Sequence, residues 1–262
     1  MSKGGWTAIV LAGQRPGPDR LATHFGEEYK ALVRVDGEAM VTRVVRCLHA
    51  TPDIARIIIL SQVPEKLRAA VEAGGGATLI ESGGGISSSI KAVAGTVEAP
   101  WPILVTTADH PLLDPAMISQ FLVGSAADDL AVAMVEKKVM FAVFPGAQRT
   151  WLKFRDGHWS GANLFALRTE RVRKALDIWA EAEQDRKTAW KLFLHFGPWL
   201  AFRALTRTIG LADALRQAGT RFGLSIRLVP MDDPIAAIDV DKPSDHTQAE
   251  EILVQRKTVR RT

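Results

Sequence analysis

Residues 6–12 read WTAIVLA, and this short run is the strongest indication of the fold class. Its residues are apolar and partly β-branched, and a glycine follows directly, which is typical of a buried parallel strand that ends in a loop. Residues 56–60, RIIIL, form a second and stronger run of the same kind. Between the two runs, apolar residues within 40–48 recur at helical spacing after an Asp-Gly turn at residues 36–37. This stretch therefore predicts a unit of strand, loop, helix and strand.

The same alternation continues along the chain. Helices are predicted at residues 64–73 and 87–97, and strands at residues 77–81 and 102–107. Together these elements predict a three-layer α/β/α, Rossmann-like sandwich with a mostly parallel, mixed sheet. Ligands of such sheets bind at the carboxyl ends of the strands, so the loops after Ala12, Glu81 and Thr107 should converge on one site.

Beyond residue 129 the pattern changes to shorter strands and a long helical tract. Strands are predicted at residues 130–135, 139–144, 161–167, 224–229 and 236–240, and a final helix is predicted to begin near Pro243. The helical tract covers residues 170–215, with interruptions at residues 197–198 and near Gly210. We therefore predict a core at residues 1–168, a helical insertion at residues 169–221, a return to the core at residues 222–255 and a basic tail at residues 256–262.

The composition is that of a folded globular protein, with 47% apolar and 24% charged residues. The single cysteine, Cys47, cannot form an internal disulfide, and its place in an apolar helical pattern predicts a buried, inert thiol. The first five residues lack the features of an export signal, and no apolar run approaches the roughly 18 residues of a membrane span. These features predict a cytoplasmic protein.

A formal net charge of +4 suits anionic substrates, an acidic membrane face or nucleic acid. Much of the excess comes from basic residues within 256–261, which we interpret as a solvated tail. The other basic residues are spread along the chain and no nucleic-acid-binding module is recognisable, so nucleic acid is not expected as a partner.

A candidate phosphate site follows the first predicted strand. The loop LAGQRPGPDR covers residues 11–20, and Lys30 comes ten residues after its end. A glycine directly after a strand lets backbone amides approach a phosphate, and nearby basic side chains neutralise its charge. The backbone at Leu11, Ala12 and Gly13 is therefore a candidate phosphate cradle. A mobile surface loop with scattered basic residues is the alternative interpretation.

Asp109 is a candidate metal ligand. It lies at the end of an apolar strand, in VTTADHPLL, and the following His-Pro stops the chain from continuing as sheet. Its carboxylate should project into the cleft at the sheet edge, where it would suit Mg²⁺ bound to triphosphate oxygens. The alternative is a carboxylate that only caps the next helix or turns the chain.

A second acidic segment, DVDKPSD, covers residues 239–245. If the preceding residues form a strand, alternation places Asp239 and Asp241 on the same side, so both carboxylates could face one ion. Asp245 is expected at the start of the final helix, where it complements the helix dipole. A plain strand-to-helix turn is the alternative interpretation of the whole segment.

Taken together, these three pieces resemble the MobA-like NTP transferases, a family within the nucleotide-diphospho-sugar transferase superfamily with its GT-A-like fold. The resemblance covers residues 8–123, 160–167 and 238–253. It implies that the triphosphate is held by Lys30 and by Arg15 or Arg20. It also implies that Asp109, in TADHPLL, binds the metal and that Asp241, in IDVDKPSD, gives the second metal carboxylate.

Two further segments carry the resemblance. GGGISSSIKAV is similar to the glycine-serine turn of cytidylyltransferases, which implies that Gly85, Ser87 and Ser88 lie near the base or sugar of the nucleotide. The alternative is that Ser87 simply caps a helix. SGANLFALR is similar to the strand that approaches the acceptor, which implies a contact from Asn163. The interval between the arginine and Lys30 is stretched relative to the family pattern, so the choice between the two arginines stays open.

The resemblance implies a nucleotidyltransferase that transfers a nucleoside monophosphate from an NTP to a phosphorylated small molecule or lipid precursor and releases pyrophosphate. Mg²⁺ is the expected ion, with Mn²⁺ as an alternative, and the glycine-serine turn favours CTP and a cytidylyltransferase. A GT-A glycosyltransferase that uses a nucleotide sugar is the enzymatic alternative. It would carry Asp-x-Asp at the end of the central strand, where this chain has TTAD at residues 106–109. A non-catalytic nucleotide- or lipid-binding protein is the third alternative.

Residues 186–207 mix basic and aromatic side chains. This mixture suits an amphiphilic phosphate or peripheral contact with the inner face of a membrane. The alternative is that the aromatic residues form the core of the helical insertion and the charges its solvated face.

Overall fold

The computed structural model describes residues 5–14, 17–184 and 197–259. The chain divides into two compact units. Unit 1 comprises residues 1–82, 106–119 and 238–262, and unit 2 comprises residues 83–105 and 120–237. The division into core, insertion, return segment and tail stays a prediction.

Strands and helices alternate through most of the described chain. The strands are β1 (Trp6–Leu11), β2 (Arg34–Val35), β3 (Glu38–Ala39), β4 (Ile54–Ser61), β5 (Thr78–Glu81), β6 (Ile103–Thr107), β7 (Leu130–Glu136), β8 (Leu152–Phe154), β9 (Gly157–Leu167) and β10 (Ile226–Pro230). The helices are α1 (Arg20–His24), α2 (Met40–His49), α3 (Pro64–Ala73), α4 (Ile86–Val93), α5 (Pro115–Gly124), α6 (Lys137–Val143), α7 (Arg173–Gln184), α8 (Pro198–Leu205), α9 (Leu211–Phe222) and α10 (Pro243–Val259). Short 3₁₀ helices cover Lys30–Leu32, Glu170–Val172 and Pro234–Ala237.

Unit 1 is built on parallel strands. β4 pairs in parallel with β1 on one side and with β5 on the other. The run IIIL of β4 is buried, as expected for a strand covered on both faces. β2 and β3 form an antiparallel hairpin whose turn residues, Asp36 and Gly37, have φ of 54° and 79°. Two consecutive positive φ values are the geometry that Asp-Gly favours in tight hairpins, which is why this dipeptide was a reliable turn signal.

The helix between the first two long strands forms as the periodicity predicts. In α2, Met40, Val44, Val45 and Leu48 are all buried. The polar side of the helix carries Arg46, which forms an ion pair with Glu38 of β3. The apolar stripe therefore sets both the position and the rotation of α2.

Unit 2 contains the mixed part of the sheet. β9 pairs antiparallel with β6, β7 and β8, whereas β10 pairs in parallel with β7. The register between β7 and β9 shifts between Val132 and Met134, which is the signature of a β-bulge. The predicted fold class, an α/β sandwich with a mostly parallel, mixed sheet, is confirmed.

Two strand predictions are wrong. Residues 139–144 were expected as a strand, but Lys137–Val143 form α6, in which Met140 is the buried residue. Short apolar runs are compatible with either a helix or a strand, so periodicity alone does not decide the conformation of these residues. Residues 236–240 do not form a strand either, because Pro234–Ala237 form a 3₁₀ helix and residues 238–240 have no regular secondary structure. The Asp233 carboxylate accepts the backbone N–H of Ile235 at 2.8 Å and fixes that turn.

The helical tract is interrupted where glycine and proline predict it. α8 begins directly after Gly197, and α9 begins directly after Gly210. Residues 185–196 of the tract lie outside the described part of the chain. Across the described ranges, no helix combines the length and the apolar character needed to cross a membrane.

The segment predicted as a basic tail begins inside α10. Arg256 donates to the carbonyl of Leu112 at 2.9 Å and pairs with Asp114 at 3.3 Å. Lys257 pairs with Asp36 at 2.7 Å. Both basic residues therefore contact other segments of unit 1, although the Lys257 side chain is still 59% exposed.

Candidate active site

The loop after β1 is anchored from both sides at its start. The N–H of Ala12 donates to the carbonyl of Leu60 at the end of β4, at 2.9 Å. The carbonyl of Leu11 accepts the N–H of Ala108 at 3.0 Å. Because three segments of unit 1 end together here, the loop at Gly13 leaves the sheet from a fixed point.

Two glutamines that the sequence analysis did not single out order this loop. Gln62 follows β4, and its Oε1 accepts the N–H of Gln14 at 3.0 Å. Gln14 Oε1 in turn accepts the N–H of Lys30 at 3.2 Å. A Cβ added to Gly13 would lie 2.8 Å from Nε2 of Gln62, so glycine allows the close approach of that amide. Gln62 could have been found from the sequence, because it stands at the carboxyl end of a parallel strand.

Lys30 begins a short 3₁₀ helix, Lys30–Leu32, and its backbone is tied to the loop through Gln14. The lysine side chain is only 18% exposed. Its ammonium group therefore lies in partly desolvated surroundings, where interactions between charges are stronger than at the exposed surface.

Asp109 and Asp241 are brought together by the backbone of unit 1. The carbonyl of Asp109 accepts the N–H of Val240 at 2.9 Å, which places the segment after the 3₁₀ helix beside the end of β6. Asp245, in the first turn of α10, accepts the N–H of Asp241 at 3.1 Å and that of Lys242 at 3.2 Å. Asp241 is therefore held by the turn at the start of α10. The prediction placed it by alternation along a strand, but the residues before it do not form a strand.

The ammonium of Lys30 lies between the two carboxylates. Its Nζ is 2.5 Å from Oδ2 of Asp109, and it also donates to Oδ1 of Asp241. The Asp109 side chain is 21% exposed, whereas that of Asp241 is 64% exposed. We call Lys30, Asp109 and Asp241 the charged triad.

Burial is the largest single effect on Lys30 and by itself would lower the pKa of the ammonium. The charges and hydrogen bonds of Asp109 and Asp241 together outweigh it, so the pKa of Lys30 is raised above its ordinary value. The lysine is therefore protonated at neutral pH.

The carboxylates of the triad fit a divalent cation. Carboxylate oxygens are the preferred protein ligands of Mg²⁺. Oδ1 of Asp109 is buried and accepts no hydrogen bond from the described part of the protein, so an acceptor oxygen remains available there. Asp239, the third predicted ligand, is half-buried. Within residues 5–14, 17–184 and 197–259, no cluster of three or more histidine, cysteine, aspartate or glutamate side chains is arranged to hold a metal by itself.

One of the two arginine candidates, Arg20, lies within the part of the chain that the structure describes. Arg15 lies outside the described residues. Arg20 is exposed and is the first residue of α1, whose N-terminus is capped by the carboxylate of Asp19 through the N–H groups of Leu21 and Ala22. The cap fixes the backbone at the end of the loop and so fixes where the Arg20 side chain starts.

The remaining predicted contacts lie in unit 2. Gly85 is the N-cap of α4, which begins at Ile86, so Ser87 lies inside the helix and the interpretation that it caps the helix is wrong. Ser87 is buried, and Ser88 is exposed with its hydroxyl donating to the carbonyl of Gly85 at 3.0 Å. Of these residues, Ser88 is therefore the exposed one.

Asn163 lies in β9 at the bulge opposite β7 and has a φ of 50°. A non-glycine residue with positive φ inside a strand is strained, and such residues occur preferentially at functional sites. This backbone conformation is consistent with the prediction that Asn163 contacts the acceptor, which stays a prediction.

Comparison with known proteins gives one domain match and several structural likenesses. The MobA-like NTP transferase domain matches residues 8–196. A hypothetical transferase from Thermus thermophilus is 27% identical, with a TM-score of 0.78 over 92% of this chain and 99% of that one. No curated protein sequence matches the chain.

Two better described enzymes are similar in fold only. CMP:2-keto-3-deoxy-manno-octonic acid synthetase, complexed with CTP, has a TM-score of 0.59 at 16% identity, over 96% of this chain and 100% of the enzyme. 4-Diphosphocytidyl-2C-methyl-D-erythritol synthase from Anaerococcus prevotii has a TM-score of 0.57 at 10% identity, over 96% of this chain and 99% of the enzyme. The domain match extends over most of the chain and includes the loop after β1, Lys30 and Asp109, and on this ground the chain belongs to the MobA-like NTP transferase family.

Proposed function

We propose that this protein is a divalent-metal-dependent nucleotidyltransferase that transfers a nucleoside monophosphate from an NTP to a phosphorylated acceptor and releases pyrophosphate. The charged triad is the observation that carries the proposal. A lysine and two carboxylates beside a glycine-containing loop are the groups that a metal-bound triphosphate requires.

The proposed reaction needs alignment and charge neutralisation from the protein, and no general base. An acceptor phosphate is already anionic near neutral pH. One of its oxygens forms a bond to the α-phosphorus of the NTP, and the bond from that phosphorus to the oxygen bridging the β-phosphate breaks. The electron pair leaves with pyrophosphate, whose growing negative charge Lys30 offsets.

Asp109 and Asp241 would hold Mg²⁺, or Mn²⁺ in its place. A bound ion of this kind supplies charge stabilisation to phosphoryl oxygens as a Lewis acid. Hydrogen bonds of Gln14 and Gln62 to the loop backbone hold Lys30 in a fixed position relative to the phosphate-binding segment. Fixed positioning of this kind accounts for a large share of the rate in phosphoryl-transfer enzymes.

CTP is the favoured substrate, and the acceptor is a phosphorylated small molecule or lipid precursor. Two proteins of similar fold support the choice of CTP as substrate: one was solved in complex with CTP, and the other is a diphosphocytidyl synthase. In our proposal Gly85, Ser87 and Ser88 contact the base or sugar, and Asn163 contacts the acceptor. A glycosyltransferase is less favoured because the segment before Asp109 lacks the second aspartate of its metal motif.

A pyrophosphate-release assay tests the proposal. The four NTPs are each combined with sugar phosphates, polyol phosphates and a molybdopterin-type acceptor. Nucleotidyl transfer gives pyrophosphate, whereas a glycosyltransferase releases a nucleotide from a nucleotide sugar, and a non-catalytic protein gives neither product. Asp109→Ala should lower turnover about 10²-fold or more. Asp177→Ala is the matched control, because Asp177 also pairs with a lysine, Lys91, outside the triad.

We further propose peripheral contact with the inner face of an anionic membrane through α8. Trp199, Phe202 and Leu205 are 68%, 54% and 83% exposed, so they do not form the core of a helical insertion. The three lie at helical spacing on one side of α8, with Arg203 beside them, and an apolar stripe flanked by basic residues suits a lipid surface. Residues 186–196 of the predicted contact lie outside the described part of the chain.

Sedimentation with anionic liposomes tests this contact. Wild-type protein should pellet with vesicles that contain anionic lipid, and Trp199→Ala with Phe202→Ala should pellet less. Equal recovery of both proteins in the supernatant would remove the membrane proposal and leave the enzymatic one intact.

A further inference from the structure

Lys30 occupies the position between two carboxylates that a cation would otherwise take. Its Nζ reaches Oδ2 of Asp109 and Oδ1 of Asp241 at the same time. The side chains of Lys30 and Asp109 are 18% and 21% exposed, so their contact is partly buried, whereas the Asp241 side chain is 64% exposed. One ammonium group therefore contacts one oxygen of each candidate metal ligand.

A divalent cation and the lysine ammonium compete for these oxygens. A cation bound to the same two carboxylates would lie within a few ångströms of the ammonium, where like charges repel strongly in partly desolvated surroundings. Two positive groups can share the carboxylates only if further negative charge arrives or if Lys30 moves. A triphosphate supplies such charge, and its oxygens are alternative acceptors for the lysine.

We propose that Lys30 is an internal counterion that keeps Asp109 and Asp241 from binding a divalent cation until an NTP draws the lysine away. The inference rests on the proposed function, since it assigns the same residues to metal and triphosphate. It adds an order of events: the protein binds metal weakly alone and strongly together with the nucleotide. By thermodynamic linkage, metal and nucleotide each raise the affinity for the other by the same factor.

The prediction is that removing the lysine charge improves metal binding by the nucleotide-free protein. Lys30→Met keeps the length of the side chain and removes the charge. Isothermal titration with Mn²⁺, on full-length protein without nucleotide, should show affinity about tenfold or more above wild type. Lys66→Met is the matched control, because Lys66 forms an exposed ion pair with Glu28 and should leave Mn²⁺ affinity unchanged.

The double variant Lys30→Met with Asp109→Asn tests whether the gain in Mn²⁺ affinity arises at the proposed site. If the tighter site is the one proposed, the second substitution should return Mn²⁺ affinity to the wild-type level or below. Lys30→Gln gives the same comparison with a polar side chain if the methionine variant does not fold. Mn²⁺ affinity at or below wild type in a folded, charge-neutral Lys30 variant would overturn the counterion role.

The outcomes separate this inference from the proposed function. A gain in Mn²⁺ affinity without pyrophosphate release from any NTP would support the counterion and remove the nucleotidyltransferase. Pyrophosphate release by wild type without a gain in Lys30→Met would keep the enzyme and remove the counterion.

Discussion

Replacing each triad carboxylate by its amide should produce unequal losses of stability. In Asp109→Asn, Lys30 loses a partner in a pair whose side chains are 21% and 18% exposed. Removing one partner of a fully buried pair costs about 3–5 kcal/mol, and exposed pairs contribute about 0.2–1 kcal/mol. The intermediate burial places the expected loss for Asp109→Asn at about 2 kcal/mol.

Asp241→Asn should be much milder. The Asp241 side chain is 64% exposed, so solvent screens its interaction with Lys30. We expect a loss of about 0.5 kcal/mol or less in the free energy of unfolding. Both variants should nevertheless lose catalytic activity, because an amide oxygen is a weaker ligand for a divalent cation than a carboxylate.

Urea unfolding, followed by circular dichroism at pH 7, measures the difference. With an m-value near 2 kcal/mol/M, the Asp109→Asn midpoint should fall by about 1 M and the Asp241→Asn midpoint by about a quarter of that. Asp177→Asn, which removes a carboxylate from an exposed lysine pair, serves as the control and should behave like Asp241→Asn. The reasoning fails if Asp241→Asn is as destabilising as Asp109→Asn, because burial would then not determine the strength of the triad.

Three further outcomes follow from the structure. Gln62→Ala removes the acceptor of the Gln14 N–H and should raise the KM for NTP severalfold with little change in unfolding midpoint, measured by steady-state pyrophosphate release. Burial acts to raise the pKa of Asp129, but hydrogen bonds from the backbone N–H and hydroxyl of Ser225 and from the hydroxyl of Thr169, together with the charge of Arg171, outweigh it and lower that pKa. The stabilisation of the fold by the Asp129 carboxylate should therefore be complete above about pH 4 and should be lost as the pH falls through the lowered pKa. Urea unfolding at pH 7 and pH 3 measures this acid dependence, which Asp129→Asn should weaken. Burial raises the pKa of the Cys47 thiol to about 12, so a thiol reagent at pH 8 should react only after unfolding, and rapid modification of native protein would contradict that burial.

The fold could be predicted from the sequence wherever a local signal decided it. The apolar runs of β1 and β4, the periodicity of α2 and the Asp-Gly turn between β2 and β3 each have one favourable conformation. The predictions failed at residues 139–144 and 236–240, where a short apolar run fits either a helix or a strand. At such places the choice depends on packing and on nearby prolines, and periodicity alone cannot make it.

The candidate site could be predicted in part. Both the local sequence patterns and the family resemblance point to Lys30, Asp109 and Asp241, and the structure brings these three side chains together. Gln62 carried a positional signal, because it directly follows β4, whereas Gln14 is a loop glutamine without a pattern of its own. The structure shows what the two side chains do, because each accepts a hydrogen bond from a backbone N–H group.

The sequence by itself determined the α/β class, the family and the three charged residues, because strand runs and short motifs are local properties of the chain. The tertiary structure decided that Asp109 is largely buried and Asp241 largely exposed, and that one lysine joins them. Those facts depend on backbone contacts between distant segments, such as the N–H of Val240 on the carbonyl of Asp109. Charge interactions vary steeply with distance and burial, so their strength is set only when the chain has folded.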